Sequence, residues 1–242
     1  MKKEELISIA PVEKVTTRIR IVGDTPLIMH AWSAKAKRQM LEKEIGATKT
    51  KARDTKNPLE DFCSSMYWLT PMPEEFTREA VASALESARF GFPVTAFKQA
   101  ALTASYQLGW TPNKTSLRGV FYIEPSVNGY YAGDLSVDFD RRAVIVVPNQ
   151  FKPDALVEIK SDTPRMREDM VRLQGIGNPA DIRYRGEFDN WSAEFDITFN
   201  KNGQYTLDQI VNIINAGGFA CGVGEWRPEK DGTYGQYHVE QA

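Results

Sequence analysis

The residues between Gly217 and Val239 combine glycine, an aromatic ring and charge in one short stretch, GGFACGVGEWRPEKDGTYGQYHV. Backbone N–H groups in a glycine-rich segment can form a concavity that binds anions. Trp226 and Arg227 add a π-face and a cation, which single-stranded nucleic acid uses for stacking and phosphate contact. The stretch predicts either such a contact or a helix C-cap followed by a turn, with Trp226 packed on the core.

The order of elements around these glycines excludes the common nucleotide-binding loops. A dinucleotide fingerprint has its glycines after a strand and before a helix, so that the helix N-terminus faces the pyrophosphate. Here a helical pattern precedes Gly222-Val223-Gly224 and a strand follows, and the chain has no GxxxxGK[ST] motif. We therefore expect no phosphate loop of this kind and no cofactor.

Basic side chains recur along the chain in groups. Between Ala34 and Asn57, eight lysines or arginines stand against three acids. A lysine-rich loop together with an Arg-Tyr-Arg strand is typical of proteins that bind single strands. The alternative for each group is a solvated charged face. The candidate nucleic-acid-binding residues are Arg18, Arg20, Lys35, Lys37, Arg38, Lys49, Lys51, Arg53, Lys98, Arg165, Arg167, Arg183, Tyr184, Arg185, Trp226 and Arg227.

Catalytic chemistry has few candidates in this sequence. The two histidines, His30 and His238, lack the spacing of a metal site, and no GxSxG nucleophile motif occurs. Acid pairs such as Asp138/Asp140 can bind a metal, but such pairs arise by chance among 32 acidic residues. We predict no catalytic residue and no metal ligand.

Composition places the chain among ordinary globular proteins. Hydrophobic residues make up 42% and charged residues 26% of 242 residues, with a net charge of -2, so a local patch would have to hold any polyanion. The two cysteines, Cys63 and Cys221, lie far apart in the sequence, and such cysteine usage is typical of proteins in a reducing cytosol. No signal core and no run of about 20 apolar residues occurs. We expect a cytoplasmic protein without a membrane partner.

Periodicity predicts a mixture of strands and helices. Val15 to Ile21 alternates as a half-buried strand with a basic outer face, and Trp191 to Phe199 alternates in the same way. Residues 117–160 have a β pattern, whereas 162–179 are expected to be irregular. A capping box at Thr206 begins a helix that Gly217-Gly218 would end, before a final strand at 234–240. The other predicted helices cover 34–45, 58–69, 77–88 and 95–108.

The order of these elements predicts the fold class, which is α+β. The early strand with its helices, followed by strand, strand, helix and strand, is the β-α-β-β-α-β order of a ferredoxin-like (RRM-like) core with helical and β-rich insertions. We expect a single domain over residues 1–242. Its core is predicted at about 14–45, 77–124 and 181–242, with insertions at about 46–76 and 125–180.

On these features the chain resembles the RAMP superfamily, the RRM-like RNA-binding proteins that form the backbone subunits of CRISPR effector complexes. The resemblance rests on a strand ending in GDTPLIMH, a helix entered through FGFPVTAFKQAA, an internal β insertion and the C-terminal glycine-rich loop. The chain also resembles uncharacterised bacteriophage proteins in general character. Glu225, Glu229 and Asp231 depart from the family, because its loop is more uniformly glycine and basic.

Together these observations predict a non-enzymatic, largely sequence-independent binder of single-stranded RNA or DNA. The resemblance implies self-association along the strand. The resemblance also implies an enzymatic alternative, a ribonuclease with His30 as its general base, because some RAMP-like proteins cleave RNA. A further alternative is a nucleotide-binding or structural phage protein that uses the glycine-rich loop as a lid.

Overall fold

The described chain alternates helices with antiparallel strands in an α+β architecture. The computed structural model describes residues 12–46, 56–128, 134–138, 141, 143–147, 155–172 and 180–240. Its helices are α1 Ala34–Glu44, α2 Pro58–Ser64, α3 Arg78–Glu86, α4 Val94–Gln107 and α5 Leu207–Ala220. Its strands are β1 Lys14–Gly23, β2 Leu27–Ile28, β3 Tyr67–Trp68, β4 Phe90–Pro93, β5 Phe121–Glu124, β6 Val127–Asn128, β7 Asp134–Asp138, β8 Ala143–Val147, β9 Ala155–Ser161, β10 Arg165–Arg172, β11 Ala180–Phe188, β12 Trp191–Asn200 and β13 Tyr237–Glu240.

One large antiparallel sheet runs in the order β13-β1-β12-β9-β4-β3, with β5 also paired to β12 and β6 to β9. β1 and β12 pair over nine residues, from Lys14 opposite Asn200 to Val22 opposite Ser192. Alternate side chains of both strands are buried, as their period-2 pattern requires. The alternation in these two sequences therefore follows from a sheet with one covered face and one exposed face.

Two helices cover the buried face of this sheet. α4 and α5 pack against each other, and Phe97 of α4 contacts Phe195 of β12 and Tyr237 of β13 at ring-centroid distances of 5.5 and 5.6 Å. A Cβ on Gly217 would lie 2.7 Å from the backbone nitrogen of Ala101, so the two helix backbones are in close contact. The glycine-rich segment follows directly after α5.

The strands joined by these helices follow a definite order. β1 and β5 both lie antiparallel to β12, and β12 and β13 both lie antiparallel to β1. α4 lies in the connection between β1 and β5, and α5 lies in the connection between β12 and β13. Each helix thus links two parallel strands that have a third strand between them.

A second, smaller sheet has the order β10-β11-β2. β10 and β11 form a ribbon in which Arg165 lies opposite Glu187 and Arg172 lies opposite Ala180. Helix α2 packs against β11, where a Cβ on Gly186 would overlap the side chain of Met66. Directly opposite residues of antiparallel strands share a face, so the face away from this contact carries most of the charged residues of the ribbon, namely Arg165, Arg167, Asp169, Arg183, Arg185 and Glu187. This face is called the charged face below.

Several elements differ from the sequence-based predictions. The helix that begins at Pro58 ends at Ser64, and the following residues form β3, which pairs with β4. Residues 165–172 were expected to be irregular but form β10. α5 continues through Gly217-Gly218 to Ala220, since these positions contact Ala101 and the carbonyl oxygen of Tyr237 instead of ending the helix. The last strand begins only at Tyr237.

The strands β7 and β8 form a separate two-stranded sheet beside α1. Among the helices of the described ranges, none combines the length and the apolar composition that a bilayer crossing requires.

Candidate nucleic-acid interface

A network of ion pairs covers the charged face of the β10–β11 ribbon. Arg185 is 2% exposed, and its Nη1 donates to Oδ2 of Asp169 at 2.8 Å. Arg167 donates from Nε to Oδ1 of Asp169 at 2.8 Å and from Nη1 to Oε2 of Glu187 at 3.2 Å. Arg165 donates to Oε1 of Glu187 at 2.7 Å. These residues, Arg165, Arg167, Asp169, Arg185 and Glu187, are called the ribbon network below.

The ribbon network is joined directly to the glycine-rich segment near the C-terminus. Arg167 donates to the hydroxyl of Tyr234 at 2.9 Å and lies 4.7 Å from the centre of its ring. Nε1 of Trp226 donates to Oδ2 of Asp169 at 3.3 Å, and Nη2 of Arg185 lies 3.7 Å from Oε2 of Glu225. Side chains from two distant parts of the sequence therefore form one continuous polar surface.

Two carboxylates in this surface, those of Asp169 and Glu225, are held in their ionised form. Burial favours the neutral form of Asp169, but hydrogen bonds from Arg167, Arg185 and Trp226 outweigh it and hold the pKa of Asp169 below its ordinary value. The hydrogen bond with His30 likewise keeps the pKa of Glu225 below its ordinary value, against the opposing effect of burial. Near neutral pH both groups therefore act only as hydrogen-bond acceptors.

The glycine-rich segment is tightly bound to the rest of the fold. Gly222, Gly224 and Gly235 have positive φ angles of 64°, 80° and 67°, and Trp226 has a positive φ of 53°. The N–H of Gly235 donates to the carbonyl of Pro26 at 2.8 Å. Because a Cβ at any of these glycines would meet neighbouring backbone, glycine is required here for packing. Trp226, by contrast, is 40% exposed and lies at the rim of the ribbon network.

A half-open cleft of about 350 Å³ lies on another side of the same segment. Tyr67, Phe92 and the first turn of α4 line it, together with residues 222–225. His30 and Glu225 also line it, and Nδ1 of the histidine lies 2.9 Å from Oε1 of the glutamate. Glu225 thus faces the cleft and also contacts Arg185 of the ribbon network.

Arg227 lies beside the cleft and is engaged by its own loop. Its guanidinium donates to Oε2 of Glu229 from Nε at 3.0 Å and from Nη2 at 2.8 Å. Its Nη1 donates to the carbonyl of Gly224 at 2.9 Å. Arg227 therefore stabilises the turn around Gly224, and its charge is paired with that of Glu229.

The arginines of the first strand lie on a different surface. Arg18 and Arg20 project from the exposed face of the large sheet, where Arg18 forms a two-point contact with Asp196 at 2.8 and 3.1 Å. Arg20 pairs with Glu240 at 2.8 Å. The hydrogen bond from Arg18 also holds the pKa of Asp196 below its ordinary value. The two positive charges predicted on this face are thus matched by carboxylates of neighbouring strands.

The cations around the first helix divide into two groups. Lys35, Lys37 and Arg38 lie on α1, the helix that packs beside β7 and β8. Lys49, Lys51 and Arg53 lie outside the described residues. Lys56 follows them and donates to Oδ1 of Asp181 at 2.9 Å and to the carbonyl of Ile182. Lys56, the last lysine of the basic stretch, therefore lies directly beside β11.

The remaining basic candidates lie near the far part of the ribbon or inside the fold. Arg183 lies on β11 with Nε 4.0 Å from Asp181, and Tyr184 is its neighbour on the opposite face. Lys98 on α4 is half-buried, with Nζ 3.6 Å from the ring centre of Phe121 and in contact with the carbonyl of that residue. Lys98 thus packs against β5.

Lys98 should make stability depend on pH. Burial lowers its pKa to about 8 from an ordinary 10.5, so above pH 8 the unfolded chain binds more protons than the folded one. Stability should therefore rise between pH 8 and 9. Above pH 9 the buried Cys63 and Cys221, whose pKa values burial raises to about 11, act in the opposite direction.

Urea denaturation at half-unit pH steps measures this dependence. In Lys98→Met the rise between pH 8 and 9 should disappear. In Lys160→Met, which removes an exposed lysine of β9 paired with Glu194, the rise should remain. A rise of equal size in the wild type and in Lys98→Met would show that another group causes it.

Several contributors to this surface were not found from the sequence. Asp169, Glu187 and Tyr234 received no role, although the alternation of RMREDMVR places Arg165, Arg167 and Asp169 on one side of a strand. The strand pattern was hidden because polar residues occupy most positions on both faces. The two acids of this group contribute as much to the network as the predicted arginines do.

Metal-binding geometry is absent from the described residues. No group of three or more histidine, cysteine, aspartate or glutamate side chains in those ranges is placed to hold a metal ion. Asp140, one of the acids considered from the sequence, lies outside them.

Comparison with known proteins yields a distant likeness to solved structures. No family model matches the chain, and no curated protein matches it. The crystal structure of Cmr6 from Pyrococcus furiosus is similar over 95% of this chain and 100% of that chain, with 8% sequence identity and a TM-score of 0.33. A likeness at this TM-score carries no inference about the present chain, so the RAMP resemblance stays a prediction from the sequence.

Proposed function

We propose that this protein binds single-stranded nucleic acid along the charged face of the β10–β11 ribbon. The network that joins the guanidinium groups of Arg165 and Arg167, through Glu187 and Asp169, to the exposed ring of Trp226 is the observation that carries this proposal. Guanidinium groups beside an aromatic ring provide phosphate contact and base stacking together, which is the combination that single-strand binders use.

The ion pairs determine how much of the binding free energy comes from phosphate contacts and how much comes from base stacking. Most guanidinium groups of the ribbon network face a carboxylate, so the surface is close to neutral in charge. On this face and beside β11, the cations with access to solvent include Arg165, Lys56 and Arg183, whose side chains are 61%, 40% and 37% exposed. Two or three phosphate contacts are thus available, and stacking on Trp226 supplies the rest, since Tyr184 lies on the opposite face of the ribbon.

The proposed fold of the core is ferredoxin-like. The strand order β13-β1-β12-β5 supports it, with α4 and α5 each connecting two parallel strands across a third. On this proposal the ribbon is an addition to the core sheet rather than part of it. Binding would then use the ribbon and not the exposed face of the sheet, where Arg18 and Arg20 are paired.

Fluorescence anisotropy with labelled 12-nucleotide oligo(dT) and oligo(U) tests the proposal. Because two or three phosphates are contacted, the slope of log K against log salt should be about −1.5 to −2. Trp226→Leu should weaken binding by about 5- to 150-fold, the value of about 1–3 kcal/mol for one stacked base. The matched control is Trp110→Leu, which removes an exposed tryptophan after α4 and should leave the affinity unchanged.

Three outcomes would contradict this proposal. Absence of binding at low salt would end it for both kinds of nucleic acid. A normal affinity in Trp226→Leu with a loss in Arg18→Gln would move the interface to the large sheet. Loss of full-length RNA on a denaturing gel, abolished by His30→Ala, would favour the ribonuclease.

A further inference from the structure

The cleft beside the glycine-rich segment has the form of a small-molecule site. Its volume of about 350 Å³ lies within the usual range of roughly 300–1,000 Å³ for such sites. Tyr67, Phe92, Pro93 and Ala96 supply apolar walls. Tyr67 and Phe92 meet edge to face with ring centroids 5.8 Å apart. Flat apolar walls of this kind suit the faces of an aromatic ring, such as one unpaired base.

The polar rim of the cleft contains two carboxylates as well as His30, Thr95, Gln99 and Arg227, and the guanidinium of Arg227 is paired with Glu229. Glu225 and Glu229 both line it, and the low pKa of Glu225 makes that side chain acceptor-only near neutral pH. Oε1 of Glu225 meets His30, and Oε2 lies 3.7 Å from Arg185. Since each carboxylate oxygen accepts two hydrogen bonds, both oxygens of Glu225 have capacity left for a ligand.

A carboxylate discriminates among the bases by their donor groups. Guanine places two donors side by side on its Watson–Crick edge, the N1–H and the 2-amino group, which match the two oxygens of a carboxylate. Adenine, cytosine and uracil each offer one donor on that edge with an acceptor next to it, and the acceptor would face the negative charge. Reading of this edge is the usual way in which proteins recognise unpaired bases.

We propose that the cleft holds one guanine base of the bound strand, with Glu225 accepting hydrogen bonds from its N1–H and 2-amino groups. This inference rests on the proposed function, since the strand on the ribbon delivers the base. Glu225 links the ribbon to the cleft, because it faces the cleft and contacts Arg185 of the ribbon network. The protein would thus bind strands of any sequence and bind those with a correctly placed guanine more tightly.

Twelve-nucleotide oligo(dT) strands with one central substitution, dG, dI or dA, test this preference by anisotropy. The strand with dG should bind about tenfold more tightly than oligo(dT), as expected for one two-point contact to a base. The strand with dI should bind less tightly than the dG strand, because inosine lacks the 2-amino group. The strand with dA should bind like oligo(dT).

Glu225→Gln should abolish the dG preference, so that the dG strand and oligo(dT) bind with equal affinity to the variant. Glutamine keeps the size of the side chain and an oxygen for His30, but it replaces one acceptor by a donor. Glu158→Gln on β9, whose carboxylate pairs with Arg89, is the control and should keep the preference. If Glu225→Gln fails to fold, Ala96→Leu narrows the cleft from α4 and should also remove the preference.

The outcomes separate this inference from the proposed function. Tight binding of oligo(dT) with no gain from dG would overturn the guanine site and leave strand binding intact. A dG preference that persists in both Glu225→Gln and Ala96→Leu would place the base elsewhere and also overturn it. If no strand binds, the proposed function and the guanine site are both wrong.

Discussion

Arg185→Met is expected to lower the free energy of unfolding by about 3 kcal/mol, because it removes one partner of a buried ion pair. Arg185 is 2% exposed and donates to Asp169 at 2.8 Å, with Glu225 at 3.7 Å on its other side. Methionine has a similar length and fills the space, so the loss measures the uncompensated carboxylate and not a cavity. Arg167 still contacts Asp169 in the variant, which keeps the effect from being larger.

Urea denaturation at pH 7 measures this effect, with Arg165→Met as the matched control. Arg165 also pairs with a carboxylate, Glu187, but its side chain is 61% exposed. Its replacement should therefore cost no more than about 1 kcal/mol. Equal losses in the two variants would mean that burial of Arg185 does not determine the strength of its ion pair.

The cost of Arg185→Met should also depend on pH. In the wild type the pKa of Asp169 lies below its ordinary value of 3.8, so its ion pairs stabilise the fold above that pH and weaken as pH falls. Protonation of Asp169 removes the unpaired charge that destabilises the variant. The difference between wild type and variant should therefore shrink below about pH 4.

Those elements that depend on local patterns could be predicted from the sequence. β1 and β12 alternate because one face of each is buried, and their pairing confirms both strands. Ser33 and Thr77 cap α1 and α3, and both hydrogen bonds of the capping box at Thr206 are present. At such positions the residue type and the local conformation determine each other without help from distant residues.

Features that depend on distant pairing could not be predicted. β9 enters the large sheet between β12 and β4, a choice of neighbours that no local pattern encodes. The pairing of β10 with β11 brings Arg167 opposite Arg185, and Asp169 then separates their charges. The sequence showed the arginines as free cations, whereas strand register supplies a carboxylate to most of them. Counting cations along the chain therefore overestimates the positive charge available to a polyanion.

The glycine-rich segment has two interpretations from the sequence, contact with nucleic acid and packing within the fold, and a substitution can distinguish them. If glycine is there for packing, Gly235→Ala should lower the free energy of unfolding by about 3 kcal/mol or more, from positive φ and steric overlap together. Gly235 has a φ of 67°, and a Cβ there would overlap the carbonyl of Val223. Relief of this steric overlap would lengthen two hydrogen bonds, one between Gly235 and Pro26 and one between Val223 and Gly235.

Gly109→Ala is the control that isolates the steric part. Gly109 has a φ of 71° but no atom within 4 Å of the Cβ position, so only the backbone conformation opposes alanine. Its replacement should cost about 1–2 kcal/mol, the value for one residue in the left-handed region. If urea denaturation shows equal losses for Gly235→Ala and Gly109→Ala, the loop yields easily and packing does not account for its glycines. A larger loss at Gly235 would instead make the loop a rigid support, on which Trp226 and Glu225 are held in fixed positions toward the ribbon and the cleft.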